Sequence, residues 1–453
     1  MQEEQYNFEE LLELAENRQF RELKARLTDL NEADIAEFLE ELPQEKSVVV
    51  FRTLPKEQAT EVFAFLPSEV QGQIINGITD TELKNIVEDL YVDDAVDMLE
   101  ELPATVVRRV LQNAAPETRQ LINQFLNYPE NSAGTIMTAE YIGLKKDMTV
   151  EQAFDYIRKN GIDKETIYIC YVTDAQRHLD GVVTVRDLLM NSYETVIETI
   201  MDNNVIQAVT TDDREDVADI FNKYDLIALP VVDHENRLVG IVTVDDAVDV
   251  MEQEATEDIE KMAAMLPSDQ PYLKQKTWIL ARNRIVWLLV LMVSSMITGG
   301  ILAHYEAAFA ALPLLVTFIP MLTDTGGNAG SQSSTSIIRG MTLGEIELRD
   351  LPRVVWKETR IALLCGAVLG LVNFIRLMIM YPTQPLVCLT VVLSLYVTVL
   401  LAQVIGCMLP LIAQKLHLDP AIMAAPLITT IVDAVSLVIY FQIACSLLSA
   451  VVH

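Results

Sequence analysis

The sequence has few cysteines, histidines and basic residues, and each shortage excludes a class of function. Its 453 residues include 5 cysteines, 5 histidines, and 33 Lys plus Arg against 65 Asp plus Glu. Most of the cysteines lie in the apolar C-terminal part without paired spacing, so we predict no disulfides and a reducing cytosol around the soluble part. The histidines accompany neither a nucleophile–base pair nor a phosphate loop, which argues against an enzyme.

The shortage of basic residues is confined to the N-terminal part of the chain. Residues 271–453 carry 8 acids and 11 bases, which leaves the first 270 residues with a net charge of −35. So acidic a region repels nucleic acid and anionic lipid headgroups. It attracts divalent cations, because Mg²⁺ and Ca²⁺ bind clustered carboxylate oxygens. Solubility alone needs less charge than this.

Residues 1–130 carry a 12-residue repeat of apolar residues and are predicted to be helical. Leu-Pro pairs recur at 42–43, 54–55, 66–67 and 102–103. Because proline stops a helix, each repeat predicts a short helix and a turn, and stacked repeats predict an all-α superhelical domain. The two apolar phases are Leu30, Leu42, Leu54, Leu66, Ile78, Leu90 and Leu102, and Leu39, Phe51, Phe63, Ile75, Val87, Leu99 and Leu111.

Residues 131–250 contain an internal duplication. The sequence Gly181-Val-Val-Thr-Val-Arg-Asp187 recurs as Gly240-Ile-Val-Thr-Val-Asp-Asp246, and each copy alternates β-rich runs with a helix. The pattern resembles a tandem pair of α/β CBS domains at 131–198 and 199–250. CBS pairs often bind adenosyl ligands, so the resemblance implies a nucleotide such as ATP near Arg186 and Asp187 and near Asp245 and Asp246. A dimerisation platform without nucleotide is the open alternative.

An acidic connecting helix at 251–270, continuous with a helix from 245, is predicted to lead into a membrane domain at 271–453. Five apolar spans are predicted: 285–303, 307–338, 361–375, one within 377–414 after an outer loop at 381–385, and 421–451. Basic residues flank one side and place the soluble part in the cytoplasm and the C-terminus outside. They are Lys274, Lys276, Arg282, Arg284, Arg339, Arg349, Arg353, Lys357, Arg360 and Lys415.

Asp433 is the only charged residue between Pro420 and Val452. It lies about 13 residues into this stretch, or roughly 20 Å along a helix, which is near the middle of a membrane. A carboxylate there costs several kcal/mol unless it faces water, a partner or an ion, so it predicts an ion or proton site. A polar group that hydrogen-bonds to a neighbouring helix is the alternative.

The second predicted span combines glycines with amide side chains. Gly326, Gly327 and Gly330 predict an irregular, broken backbone that lines a cavity, although tight helix packing would also explain them. Asn328 and Gln332 are four residues apart and share one helical face. Together with Asp433 they offer only oxygen ligands, which favours a hard cation such as Mg²⁺.

The helical N-domain, the CBS pair, the acidic connecting helix and a five-helix α transmembrane domain together resemble the MgtE family of magnesium channels over essentially the whole chain. The most specific matches are Gly326-Gly-Asn-Ala-Gly-x-Gln332, Asp419-Pro-Ala421 and Thr429-Thr430-x-x-Asp433. The resemblance implies a homodimer in membrane lipid whose pore lies between the subunits. There Asp433 holds a hydrated Mg²⁺, with Asn328, Gln332 and Thr429 nearby. Ala424-Ala425-Pro426 and Ser436 depart from the family pattern.

The resemblance also implies that cytosolic Mg²⁺ binds between the acidic domains and holds the pore shut, so Mg²⁺ is both substrate and regulator. Unscreened acids repel one another, and bound cations would clamp the domains together. The implied acids are Glu61, Asp93 and Asp97 on the N-domain, Asp213, Glu215, Asp225, Asp246 and Asp249 on the CBS pair, and Glu254, Glu257 and Asp258 on the connecting helix.

Two functions remain open at this point. The first is a Mg²⁺-gated channel for magnesium uptake, and the second is a CBS-regulated membrane sensor that conducts no ion. A membrane enzyme lacks a catalytic set, and an anion channel conflicts with an acid in the pore. Whether Asp433 lines a water-filled space or packs against lipid distinguishes the first two.

Overall fold

The computed structural model describes residues 8–268, 272–273, 275–306, 313–423 and 425–448. The chain divides into two compact units, Met1–Met251 and Glu252–His453, and each is described by itself. Some sequence predictions lie outside the described residues: those on Lys274 and Ala424, the start of the second span at 307–312, and the end of the last span beyond 448.

Short helices fill the described N-terminal part of the first unit, as the 12-residue repeat predicts. They are α1 (Phe8–Glu16), α2 (Phe20–Leu27), α3 (Glu32–Glu41), α4 (Gln44–Phe51), α5 (Lys56–Ala64), α6 (Ser68–Gly77), α7 (Asp80–Asp89), α8 (Val92–Glu101), α9 (Ala104–Asn113) and α10 (Pro116–Phe125). The repeated prolines begin helices, since Pro43, Pro55, Pro67 and Pro103 each occupy an N-cap. Proline is tolerated there because an N-cap residue donates no intrahelical bond.

The duplicated region folds as two matching α/β copies. The first contains β1 (Ile142–Leu144), α11 (Val150–Asn160), β2 (Ile169–Thr173), β3 (Leu179–Thr184) and α12 (Val185–Met190). The second contains β4 (Ala208–Val209), α13 (Arg214–Tyr224), β5 (Ala228–Val232), β6 (Leu238–Thr243) and α14 (Val244–Met262). In each copy the first strand pairs parallel with the second, and the second pairs antiparallel with the third.

The two copies are joined by reciprocal backbone hydrogen bonds, so they form one body. The Thr138 N–H donates to the Ile241 carbonyl over 2.7 Å, and the Val182 N–H donates to the Asp202 carbonyl over 2.9 Å. A Cβ on Gly240 would lie 2.7 Å from the Thr138 carbonyl oxygen, and one on Gly181 would lie 2.9 Å from that of Asp202. Because glycine has no Cβ, Gly181 and Gly240 leave room for the backbone of Asp202 and Thr138 from the other copy.

The second unit holds five long helices in its described residues. They are α15 (Thr277–His304), α16 (Ile319–Thr342), α17 (Leu351–Met380), α18 (Pro385–Lys415) and α19 (Ala425–Leu447). Four helical stretches among the described residues are long and apolar enough to cross a membrane, at 277–304, 348–380, 385–415 and 420–447. The second predicted span corresponds to α16, which has 24 residues but is not among those four.

The predicted glycine-rich break in the second span is wrong. Gly326, Gly327 and Gly330 are buried inside α16, which is helical without interruption from Ile319 to Thr342. A Cβ on Gly330 would lie 3.1 Å from the Ala402 carbonyl oxygen of α18. The glycines therefore allow α16 to pack directly against its neighbours, the alternative that the sequence left open.

Replacing Gly406 by alanine should destabilise the second unit by about 1–3 kcal/mol, the usual cost of forcing a methyl group into a packed interface. Its Cβ would collide with the backbone of Gly330 across the α16–α18 contact. Thermal unfolding of the purified protein in detergent measures the effect. Gly299→Ala is the matched control, because a Cβ on this α15 glycine meets nothing within 4 Å. Equal melting temperatures for the two variants would contradict the packing argument.

Candidate functional site

A stripe of polar side chains runs along one exposed face of α16. Asp324, Asn328 and Gln332 follow one another at four-residue spacing, and Thr335 and Arg339 continue the stripe. All five are exposed within the chain, whereas the glycine face of the same helix is buried. Polar side chains on a helix in a membrane need water or a polar partner. This face therefore lines an aqueous path or meets another polar surface.

Asp433 lies half-buried on α19, and the Asp324 carboxylate is close enough to repel it electrostatically. In the described residues, neither acid forms an ion pair with a Lys, Arg or His. Two carboxylates without a basic partner attract a cation. The sequence analysis missed Asp324, although its position four residues before Asn328 was the available signal.

Asn328 and Gln332 line a cleft of about 530 Å³ between α16, α17 and α18. Thr325 and Gln403 add polar groups to its wall, and the rest of the lining is Ala329, Leu364, Cys365, Val368, Leu369 and Val399. Asp433 is not part of this lining. The structure thus brings Asn328 and Gln332 together on one side of α16 and places Asp433 with Asp324.

The hydroxyl and the methyl group of Thr429 both have partners within the membrane domain. Its hydroxyl donates to the Pro426 carbonyl over 2.9 Å. A Cβ on Gly327 would lie 2.9 Å from the Thr429 Cγ2, so this side chain packs against the glycine face of α16. No hydrogen bond in the described part of the chain joins Asp433 to Thr429, Asn328 or Gln332.

A second group of acids lies in the first unit, where α8 faces the start of α14. Asp93 and Asp94 of α8 interact with Asp246, and Glu165 contributes from the loop before β2. Burial, and then the neighbouring carboxylates, raise the pKa of Asp93 well above its usual value and that of Asp94 to about 6. One carboxylate oxygen of Asp93, Oδ1, is buried without a hydrogen-bond partner.

The same two causes act on the partners of α8. Burial and then the Asp245 and Asp246 carboxylates raise the pKa of Glu165 to about 7. Burial raises the pKa of Asp246 to about 6, although the Thr243 hydroxyl offsets part of this by donating to its Oδ2 over 2.6 Å. Asp97 belongs to the same group, but its side chain is exposed to solvent, so Asp93 carries the argument.

The sequence predicts only part of this group as cation ligands, namely Asp93, Asp97 and Asp246, and it predicts Asp245 only as a nucleotide contact. Asp94, Glu140 and Glu165 are not predicted, although the Asp-Asp pair at 93–94 is visible. Glu61 on α5 is exposed. It lies near Tyr91, whose hydroxyl also interacts electrostatically with Glu165 and Asp93 of the group.

Other predicted residues lie at helix ends. Asp213 is the N-cap of α13 and accepts from the Glu215 N–H over 2.9 Å, and Asp225 is the left-handed C-cap of the same helix. Asp187 accepts from the Thr184 hydroxyl over 2.5 Å in a capping box, and Arg186 is exposed beside it. Asp249 is exposed one turn beyond Asp246 on α14. Asp187 and Asp213 thus have structural roles whatever else they bind.

The acids of the first unit are neighbours without a converged set of ligands. Within the described residues, no three His, Cys, Asp or Glu side chains come close enough to hold a metal ion. After burial, the charged groups that raise the pKa of Asp93, Asp94 and Glu165 are other acids, and no base of the described residues stands among these causes. The region therefore carries uncompensated negative charge, which a divalent cation would stabilise.

The end of α14 lies in the second unit, and there a lysine side chain that was not predicted as part of the site pairs with two acids. The Lys261 Nζ lies 2.5 Å from Glu257 Oε1 and 2.6 Å from Asp419 Oδ2. Asp419 also accepts from the Ala421 N–H over 2.8 Å. Burial and the Asp419 carboxylate raise the pKa of Asp258. Asp419 thus ties the end of this acidic helix to the turn before α19.

Models of known protein families match most of the chain. Residues 319–443 match the family model MgtE, described as a divalent cation transporter. Residues 30–131 match the MgtE intracellular N domain, and residues 133–194 and 197–253 match the CBS domain. These ranges cover the helical repeats, the two α/β copies and the helices α16 to α19.

Relatives that align with most of the chain, and solved structures of cytosolic parts, are also magnesium transporters or channels. The chain is 39% identical to the magnesium transporter MgtE of Thermus thermophilus over 364 residues, 80% of each chain. It is 31% identical to that of Bacillus subtilis over 424 residues, 94% of this chain and 93% of the relative. The soluble part of a magnesium transporter matches 55% of this chain and 98% of its own length at 31% identity, with a TM-score of 0.52.

A second solved structure is the cytosolic domain of the Mg²⁺ channel MgtE in complex with ATP. It matches 53% of this chain and 98% of its own length at 37% identity, with a TM-score of 0.51. Long apolar helices joined to an intracellular helical domain and a CBS pair define a multi-pass membrane transport protein. Within that class, the chain belongs to the MgtE family of magnesium transporters.

Replacing Asp93 by asparagine should raise the melting temperature by a few degrees in the absence of divalent cations, because it removes a buried carboxylate that other acids repel. Thermal unfolding of the purified protein in a chelator measures this. Added Mg²⁺ should shrink the difference by stabilising the wild type. Asp29→Asn, at an exposed acid on the N-domain surface, should change little in either condition. A lower melting temperature for Asp93→Asn in the chelator would refute the electrostatic account.

Proposed function

We propose that this protein is a Mg²⁺-selective channel for magnesium uptake across the plasma (inner) membrane, with an ion path along α16 and α19. The polar stripe of α16 and its acid Asp324, close to Asp433 of α19, carry this proposal. A sensor that conducts no ion would leave such a stripe in a membrane helix without a role.

The chemistry of the path suits a hydrated, hard cation. Asp324, Asn328, Gln332 and Asp433 offer carboxylate and amide oxygens, which Mg²⁺ prefers to sulfur or imidazole. Because Mg²⁺ loses its water reluctantly, these groups act best on the hydrated ion, through its water shell. The two carboxylates lower the electrostatic cost of bringing a divalent charge into the membrane.

The same stripe supports a homodimer with five spans per subunit. In this topology α16 crosses the membrane with α15, α17, α18 and α19. Five spans place the two termini on opposite sides of the membrane, so with a cytoplasmic N-terminus the C-terminus lies outside. The apolar helices can face lipid, but the exposed stripe of α16 cannot. Two copies that turn these faces toward each other would enclose a polar path on a twofold axis.

Cytosolic Mg²⁺ is proposed to close the channel by binding the acidic groups. Asp93 and Asp94 of α8 and Asp246 of α14 repel one another, so a bound divalent cation would draw them together. The helix α14 continues from this group to Lys261, whose ion pair reaches the turn before α19. We propose that this helix transmits the effect of the bound cation to the membrane helices.

ATP is a second proposed ligand of the cytoplasmic part. The similar cytosolic domain of the Mg²⁺ channel MgtE was solved with ATP, and this chain has an exposed Arg186 in its first CBS copy. An exposed guanidinium can bind phosphate oxygens in bidentate fashion.

Asp433→Ala should lower Mg²⁺ uptake into proteoliposomes at least tenfold with little loss of folding, because it removes a charge that attracts the ion and that is costly to bury. Asp433→Asn should conduct only weakly, since it keeps the shape and loses the charge. Glu345→Ala, at an exposed acid between α16 and α17, is the matched control. Wild-type uptake by Asp433→Ala would remove this residue from the ion path.

Neutralising Asp246, Asp249, Glu254, Glu257 and Asp258 together should leave a channel that Mg²⁺ cannot close, because the carboxylates that would bind the regulatory cations are removed. Mg²⁺ uptake across a range of internal Mg²⁺, together with limited proteolysis, measures the response. Millimolar Mg²⁺ should protect the wild type from protease, and Na⁺ at equal ionic strength should not.

The matched control neutralises five exposed acids elsewhere and should keep the Mg²⁺ response: Glu13, Glu22, Asp29, Glu37 and Glu45. Equal protection by Na⁺ would mean that simple screening is sufficient, and the proposal of specific regulatory sites would then fail.

A further inference from the structure

Glu358 is an acid inside the second unit that the ion path does not use. It lies on α17 within a stretch apolar enough to span a membrane, and only 8% of its surface is exposed. It belongs to a buried stripe at four-residue spacing with Val354, Ala362, Gly366 and Gly370. In the described residues it forms no ion pair with a basic side chain. An acid buried in a membrane domain without a counter-ion marks a functional position.

The bonding partner of Glu358 is Ser333 of α16, which is itself 4% exposed. The Ser333 Oγ lies 2.7 Å from Glu358 Oε2 and 3.0 Å from the Gln403 carbonyl oxygen of α18. The single Ser333 proton is shared between the Glu358 and Gln403 oxygens, so this hydroxyl bridges α16, α17 and α18 on the buried side of α16. Gln403 also lines the cleft with Gln332, the residue next to Ser333.

The glycines on the buried face of α16 do little to set the rotation of the helix. Gly326 and Gly330 allow close approach, but a smooth glycine surface has no directional bond. In the described residues, Ser334 adds a bond to the Met423 carbonyl over 3.1 Å, and Met321 accepts from Arg376 near the other end of the helix. Ser333 is the one that holds α16 to both α17 and α18.

Rotation matters because Asp324, Asn328 and Gln332 project from the same helix. A side-chain oxygen lies roughly 5 Å from a helix axis, so a rotation of about 20° moves it by about 2 Å. A misplacement of about 1 Å can cost a positioned group about a hundredfold in effectiveness.

Stability gives no alternative reason for the acid. A buried polar group can often be replaced by an apolar residue of similar volume without loss of stability. We propose that Glu358 is a positioning residue for ion conduction. By accepting the hydrogen bond of Ser333, it fixes the rotation of α16 and so the direction in which the polar stripe faces the ion path. The inference rests on the proposed channel function.

The test compares Glu358→Gln with Glu358→Leu in proteoliposomes, with Mg²⁺ and Co²⁺ uptake measured separately. Glutamine keeps an oxygen acceptor for Ser333, so its ratio of Mg²⁺ to Co²⁺ uptake should stay within about twofold of wild type. Leucine removes the acceptor, and the ratio should fall roughly tenfold as α16 rotates. Loss of folded protein alone would lower both uptakes and leave the ratio unchanged.

Ser333→Ala provides an independent arm, because it removes only a hydroxyl from the same bond. It should reproduce the ratio of Glu358→Leu, and the double variant should be no worse than either single one, since both remove the same interaction. Asn373→Leu is the matched control: Asn373 is also buried on α17, and its amide nitrogen has no partner in the described residues. Its uptake ratio should match the wild type.

Three results would overturn the inference. A wild-type ratio in both Glu358→Leu and Ser333→Ala would show that the bond does not position α16. A glutamine variant as impaired as the leucine variant would show that charge is required, which is the behaviour of an ion-binding acid. Absence of Mg²⁺ uptake by the wild type would instead refute the channel function and this inference together.

Discussion

The direct backbone contact between α16 and α18 is the constraint on which the membrane half depends. Gly330 and Gly406 bring the two helices so close that a Cβ on either glycine meets the other backbone. Because one face of α16 is buried by glycines and two serines, the opposite face can carry Asp324, Asn328 and Gln332. A helix with larger side chains at the contact would stand further from α18, and Ser333 could not reach both Glu358 and Gln403.

Electrostatics play the opposite role in the two units. In the first unit, Asp93, Asp94, Asp246 and Glu165 lie close together, and the charged groups that raise the pKa of Asp93, Asp94 and Glu165 in the described residues are all acids, so this group carries mutual repulsion. In the second unit, Lys261 neutralises Glu257 and Asp419 within ion-pair distance. The helix α14 carries both arrangements: Asp246 near its start lies among other acids, and Glu257 near its end pairs with Lys261.

Local patterns predicted the fold well, because each reports a short-range effect. The Leu-Pro period predicted the helices of the N-domain, and the two Gly-x-Val-Thr-Val segments predicted the paired α/β copies. The glycine-rich segment was misread because glycine is compatible with both a turn and a tightly packed helix, and only the partner helix decides between them. Four of the five predicted spans are long and apolar enough to cross a membrane, and α16 is not among them.

The order of the domains, the acidic character of the first 270 residues and the position of Asp433 in an apolar stretch follow from composition and periodicity alone. Packing of distant parts of the chain is what places Asp324 near Asp433, Asp94 and Glu165 in the acidic group, Lys261 on Asp419, and Ser333 between Glu358 and Gln403. These partners are from 25 to about 160 residues apart along the chain. Hydrophobic periodicity indicates which face of an element is buried, but which element covers that face depends on how the chain packs.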